Sequence, residues 1–381
     1  MIRSDYGIFY NASIYNQFAT QLASQPPFAV SDNLITRPDR VLSLANGFPS
    51  DPQFTVLNSY AVDRHLRVGY VQQWNLDIQQ QLRPNLVLTV SYNGSKGTRL
   101  DLLRSPNRAP AGSPLETDSN RIISNAQGFL YETSGAASIF HSLQIRLQRR
   151  FTSGLSVNAS YIFGKSIDNA SSIGGGQETV ALIDNNLRAE RGLSTFDMRH
   201  QLTINYVYEF PFGERKRFLS HGGLPARLLG GWSLSGMTTL QSGSPYTARI
   251  LGNSINNSGT GANQSERADA TGLPVELPES LQTVAHFFNT EAFTLPTPGR
   301  FGDAGRNTIT GPGTTNFNMA LAKIIRFSPD GKRLEFRTQA TNVFNTPNFN
   351  GLGVIVDASN YGHLISAKQM RQFEFTLRFN F

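Results

Sequence analysis

The 381-residue chain holds no cysteine, which removes thiol catalysis, disulfides and thiolate metal sites together and leaves the redox compartment open. No stretch reaches the ~18 consecutive apolar residues of a membrane-spanning helix, so a helical membrane protein is excluded. Residues Met1 to Tyr6 lack the apolar core of a secretory leader, so export is not legible in this chain. Lys plus Arg number 34 against 27 Asp plus Glu, a net charge of +7. These basic residues are scattered, with no run longer than Arg215, Lys216 and Arg217, and leave no nucleic-acid footprint. The six histidines (His65, His141, His200, His221, His286 and His363) show no metal-ligand spacing. Gly174 to Gly176 and Gly311-Pro312-Gly313 lack the strand, loop and helix setting of a phosphate cradle, so they read as loop glycines. Asp197-Met198-Arg199-His200 and His141-Ser142 invite comparison with acid/base pairs, but the plainer reading is polar residues at strand ends and loops. No catalytic, cofactor or metal residue is assigned, and an enzyme is not expected.

What the chain does hold is 34 Gly, 26 Phe and 12 Tyr, with many Asn, Ser and Thr residues, a composition that favours strands joined by polar turns. The last nine residues alternate without a break: Phe373, Phe375, Leu377, Phe379 and Phe381 on one face, Glu374, Thr376, Arg378 and Asn380 on the other. The same two-residue period recurs upstream. Trp74, Leu76 and Ile78 oppose Gln73, Gln79 and Gln81; Leu143, Ile145 and Leu147 oppose Arg146 and Arg150; Leu334 and Phe336 oppose Glu335 and Arg337. Ten strands are predicted, near residues 6–10, 70–82, 86–92, 143–151, 155–163, 201–210, 232–240, 317–327, 334–344 and 373–381, with a short helix near Ile14 to Leu22 and a helical turn or two after Pro278.

The connections between them alternate in length. They are compact at 83–85, 152–154, 211–231 and 328–333, where Ser328-Pro329-Asp330-Gly331 reads as a turn, and long at 11–65, 93–137, 165–198, 242–315 and 345–370. Loops in compact soluble domains have a median of ~4 to 6 residues, so five long ones of the same parity argue against such a domain. Short turns on one side and long loops on the other are the habit of outer-membrane barrels. Phe317 and Phe327 lie ten steps apart, about 33 Å of strand, which at ~40° of tilt spans roughly 25 Å, the height of a barrel's apolar band. Phe151, Phe210, Phe212, Trp232, Phe327 and Phe381 gather beside the short turns as an interfacial girdle requires. Gln79, Gln81, Arg146, Arg150, Glu335, Arg337 and Arg378 then face the lumen. Lys323 resists this pattern, since it shares the parity of Leu321 and Ile325 and faces lipid; a β-bulge over Ala322 to Ile324 is expected to turn it inward, or else it snorkels.

Several segments together resemble one family: YGIFY (6–10) with QPPF (25–28), WNLDIQQQL (74–82), SLQIRLQRRF (142–151), GLSVNASYIFGKSID (154–168), FDMRHQLTINYVYEFPFG (196–213), GGWSLSGMTTLQSGSPYT (230–247), FGDAGRNTITGPG (301–313), FRTQATNVFNTPNF (336–349) and the terminal FEFTLRFNF. In order and spacing they resemble the carboxyl-terminal barrel portion of TonB-dependent outer-membrane receptors, specifically the Oar-like branch abundant in Acidobacteria. The resemblance implies an all-β, antiparallel, transmembrane outer-membrane β-barrel of about 22 strands, plugged and energised by amino-terminal parts. The plug, the TonB-contacting segment, the signal peptide and about half the strands have no counterpart here, so residues 1–381 are expected to be one carboxyl-terminal portion holding about ten strands. It further implies residence in the outer membrane, lipid and lipopolysaccharide as neighbours, a TonB partner only through the amino-terminal part, and a terminal strand read by the barrel assembly machinery. No cofactor is implied.

Two other readings stay open on the residues. One is a self-contained ten-stranded barrel, a passive pore or a structural or adhesive protein, closed by pairing the strand near Tyr6 with the terminal strand. The other is a soluble extracellular β-protein that binds carbohydrate and uses its aromatics as core.

Overall fold

A computed structural model describes residues 1–10, 14–29, 59–107, 122–123, 129–170, 184, 186–214, 216–221, 223–250, 267–297, 300–327 and 332–381. The glycines 174–176 and the expected turn at 328–331 lie outside the described residues. Ten strands form one sheet: β1 (Ile2–Tyr10), β2 (Tyr70–Arg83), β3 (Leu86–Arg104), β4 (Leu130–Thr152), β5 (Leu155–Asp168), β6 (His200–Glu209), β7 (Trp232–Gln241), β8 (Thr314–Arg326), β9 (Arg333–Thr341) and β10 (Gln372–Asn380). Each pairs antiparallel with the next in sequence, an up-and-down meander with β1 and β10 at its ends.

The register explains the alternation. One row across seven strands reads Gln79, Thr89, Arg146, Ser160, Thr203, Thr239 and Asn316. A row of the opposite face reads Leu155, Tyr208, Leu234, Leu321, Thr338 and Phe375. A slip of one residue in any strand would exchange the faces, so the pattern itself fixes the pairing. At Ser153 and Gly154 both φ values are positive, 52° and 81°, as the tightest hairpins require.

Two strands exceed the expectation by the most. The β3–β4 pairing, with register irregularities between Gly97 and Leu102, runs on to the ends of both strands at Arg104 and Leu130, so the connection expected at 93–137 shrinks to 105–129. Leu130 lies 21 steps from Phe151, about 70 Å of strand and roughly 50 Å of height at the same tilt. The outer half of this hairpin therefore stands clear of a 25 Å apolar band. Against it pack the expected helix, α1 (Ile14–Ala23), and a three-residue strand, Tyr60–Val62, which pairs parallel with Leu130 to Glu132. Phe18, Tyr60 and Leu103 form the small core between them.

Candidate functional site: channel wall, outer lobe and short-turn rim

The polar face of the sheet carries every residue expected to face a lumen. Gln79 and Arg146 lie in the row given above, Gln81 faces Val87, Glu335 faces Arg378, and Arg337 faces Thr376. Arg150 sits beside the β2–β3 turn, where its backbone N–H donates to Asn85. Glu335 and Arg378 are opposite charges directly across a strand pair, an arrangement that favours the pairing. Over β5 to β9 this face is hollowed, with an open cavity of about 390 Å³ lined by Ser156, Asn158, Asn205, Ser235, Arg337 and Gln339. Val207, Met237 and Ala320 also line it, so the hollow is a mixed surface of hydrogen-bonding and apolar groups with one cation.

The apolar face carries aromatic residues at two heights. At the short-turn end lie Phe151, Phe210, Phe212, Trp232, Phe327 and Phe381, with Phe327 and Phe379 rings 6.4 Å apart and Phe379 and Phe381 6.1 Å apart. The second set was not singled out in the sequence. Trp74, Tyr92 and His141 cluster on β2 to β4, Tyr161, Phe163 and His200 on β5 and β6, and Phe317 and Phe344 meet edge to face at 5.1 Å. His141 and Phe151 are ten steps apart, as are His200 and Phe210, the same spacing as Phe317 and Phe327. That repeated interval was the available signal. Tyr92 Oη lies 2.7 Å from His141 Nδ1 and Tyr161 Oη 2.8 Å from His200 Nδ1, so both histidines serve aromatic clusters. Asp197 accepts the Ser166 N–H at 2.6 Å and lies 3.8 Å from Arg199; the geometry gives it a structural task.

Above the second set, the long connections fold into a lobe, a feature that sequence reasoning missed. The 242–313 and 342–371 segments form short ladders at Pro245–Tyr246 with Ile309–Thr310, Asp269–Ala270 with Phe293–Thr294, and Phe349–Leu352 with Leu364–Ala367. Ala248, Ala268, Phe288, Phe293, Ile309 and Leu352 share one core. The expected helical turn after Pro278 is present as Glu279–Leu281. Gly311 serves packing, because a Cβ there would stand 2.4 Å from the Tyr246 ring.

Two buried ion pairs tie the end of β5 and the 186–197 stretch to this lobe. Arg267 reaches Glu190 at 2.5 Å, with side chains 6% and 1% exposed; Arg306 reaches Asp168 at 2.5 Å and also donates to the backbone oxygens of Glu190 and Asp168. Asn307 adds bonds to Thr247 and to the Leu193 carbonyl. Charges so deeply buried persist only when paired. Burial pulls the Arg267 guanidinium below its ordinary pKa, opposed by Glu190.

At the opposite rim, the 210–231 connection contains a second helix, α2 (Leu224–Leu229). Here the expected bulge is overturned. Lys323 pairs regularly with Trp232 on one side and Phe336 on the other. Its ammonium is nevertheless satisfied on the apolar face: it donates to the carbonyls of Arg227 at 2.7 Å, Leu228 at 2.8 Å and Gly230, and lies 5.3 Å from the centre of the Trp232 ring. The carbonyls left open by a helix C-terminus supply both acceptors and a negative dipole end. Their source is α2, within a connection that the sequence predicts only to be compact.

A wall with one polar and one apolar face, turns at one rim and folded loops at the other, defines a β-barrel membrane protein. A family model described as outer membrane beta barrel domain matches residues 1–374, and the chain belongs to that family. It is accordingly an outer-membrane protein, and the soluble reading gives way. No curated protein matches the sequence. Among solved structures, the Escherichia coli outer membrane transporter YddB matches 99% of this chain with 38% of its own length, at 10% identity and a TM-score of 0.53. The Pseudomonas aeruginosa ferripyoverdine receptor matches 100% of the chain with 31% of its own, at 12% identity and a TM-score of 0.43. The chain thus spans well under half the length of these proteins, and its fold is that of an outer-membrane transporter barrel.

Proposed function

We propose that residues 1–381 supply an arc of the channel wall, with the outer lobe above it, of a TonB-dependent, Oar-like receptor. In this reading the polar face lines the lumen and the apolar face meets lipid and lipopolysaccharide. The two aromatic sets mark the two edges of the apolar band, and the lobe takes up ligand from outside. The energising contact with the TonB system is made through an amino-terminal part of the receptor, and no residue here acts as a catalyst or holds a cofactor. The exposed Phe373, Phe375, Leu377 and Phe379, with Phe381 at the end, present the pattern that the assembly machinery reads.

One observation carries the proposal: the sheet is an open arc. Register pairs β1 with β2 and β10 with β9, and among the described residues the two outermost strands do not pair with each other. Closure of β1 on β10, which the self-contained small barrel requires, is therefore the reading this geometry favours least. Unpaired edges are untenable in a bilayer, where each unsatisfied backbone group costs several kcal/mol, so other strands of the receptor must take both edges.

Cysteine scanning in outer membranes tests this, since the chain has no background thiol. Cysteines at Thr338 and Phe375, directly opposed in β9 and β10, are expected to cross-link. Cysteines scanned along β1 against β10 are expected not to. Cross-linking of β1 to β10 as efficient as the 338–375 control would overturn the arc and establish a closed ten-stranded barrel.

A further inference from the structure

The 210–231 connection does more than join two strands. Its end nearest the wall is tightly held: Phe210 N–H bonds the Trp232 carbonyl, Phe218 N–H bonds the Pro211 carbonyl, and Gly213 N–H bonds the Phe218 carbonyl. Gly213 and Gly230 touch backbone to backbone, where a Cβ on Gly230 would come within 2.8 Å of Gly213 Cα. Lys323 then fastens the far end of α2 to the wall. Because Lys323 lies in the row of Trp232, Phe336 and Leu377, α2 sits on the apolar side of the sheet, outside the lumen. Trp232 Nε1–H donates to the Leu228 carbonyl at 3.1 Å, a second fastening on the same side.

The surface this foot presents is apolar. Leu224 is 74% exposed, Leu228 69% and Leu229 54%, and Phe218 and Leu219 are open beside them, while Ala226 alone of the helix turns inward. Exposed Arg217 and Arg227 flank the leucines, and Arg217 lies over the Phe218 ring at 5.4 Å. An aqueous setting would leave three leucines on one short, rigidly anchored helix in water, at a rim already crowded with aromatics. A bilayer boundary satisfies all of them: leucines among acyl chains, arginines at phosphates, aromatics between.

We propose that α2 is a membrane foot, embedded in the inner leaflet of the outer membrane beside the wall, with Leu224, Leu228 and Leu229 among phospholipid acyl chains and Arg217 and Arg227 against phosphate groups. The partner is the phospholipid leaflet, because the foot continues the apolar face without a break. The proposal rests on that face meeting lipid.

Single cysteines at Leu228 and Arg217, labelled with an environment-sensitive fluorophore, test it in the intact protein reconstituted into vesicles of phosphatidylethanolamine and phosphatidylglycerol. Ile145, in the middle of the apolar face of β4, is the wall control. The Leu228 probe is expected to emit as from an apolar medium, to be quenched by brominated acyl chains about as strongly as the Ile145 probe, and to resist aqueous iodide. The Arg217 probe is expected to feel both quenchers. An Ile145 probe quenched by lipid beside a Leu228 probe quenched only by iodide overturns the foot and leaves the wall intact. Loss of lipid quenching at both positions overturns the assignment of the apolar face as well.

Discussion

Lys323 shows how a residue that breaks a pattern can be accommodated without altering the backbone. A cation in the apolar band of a barrel costs ~2 to 4 kcal/mol at midplane and ~0 to 1 near the interface; Lys323, level with Trp232 at the short-turn rim, is satisfied there by three carbonyls at a helix end. Replacing it, Lys323→Met, strands those carbonyls in an apolar setting, at about 1–3 kcal/mol for an unsatisfied buried group. The expected outcome is a lower midpoint of heat-induced gel-mobility change, with Lys323→Arg closer to the parent. Glu132 is the second such residue. It is buried beside Tyr60 Oη at 3.5 Å, on the part of β4 that stands clear of the membrane, and burial followed by the charge of Asp101 pushes its carboxyl up to about 7 from an ordinary 4.5. A folded-state pKa above the unfolded one means the folded form holds the proton more tightly, so this contribution is full below about pH 4.5 and is lost as pH rises through about 7. Hydrogen exchange at Leu130 to Glu132 is expected to quicken from pH 5 to pH 8 beyond the intrinsic rate change. Glu132→Gln should flatten that excess.

At the scale of elements, all ten strands were legible, most of them because a two-residue period leaves little choice of face or register, and β1 only in part, as Tyr6 to Tyr10 of Ile2–Tyr10. Their inner ends were legible too, from the turn residues. The outer ends of β3 and β4 were not: Gly94, Gly97, Ser134 and Gly135 dilute the alternation, and the strand continues because Trp74 packs over Gly94, where a Cβ would stand 2.3 Å from the ring. α2 escaped notice for another reason. LPARLL is too short for a periodicity to register, and its stability comes from Lys323, nearly a hundred residues away. The terminal strand was the most legible element, and its prediction stands on that pattern: deleting Phe381 should lower the yield of assembled, heat-modifiable protein more than any single loop substitution. Normal yield from that variant would refute its role in assembly.

For the whole molecule, the sequence marked the long connections as places where function would reside but not as a folded lobe. Its core is built from alanines and scattered aromatics drawn from segments a hundred residues apart, and no local signal announces that Asp168 will meet Arg306. Breaking one buried pair by Arg306→Met should cost ~3–5 kcal/mol, since it removes the guanidinium paired with the buried Asp168 carboxylate. Limited proteolysis is expected to cut the lobe within 267–313 while the barrel keeps its gel mobility. Unchanged resistance would show that the pair is dispensable.

The same ion pairs bear on how such a surface changes over time. Because Glu190 lies in the connection after β5 and Asp168 closes β5 itself, while Arg267 and Arg306 belong to the connection after β7, neither connection can be exchanged alone without parting a buried ion pair. New binding specificities would therefore have to arrive by exchange of the connections together, as a cassette, or by substitutions confined to the lobe's outer skin. Chimaeras between related receptors that transplant 168–199 and 242–313 jointly should fold, where either one transplanted singly should not.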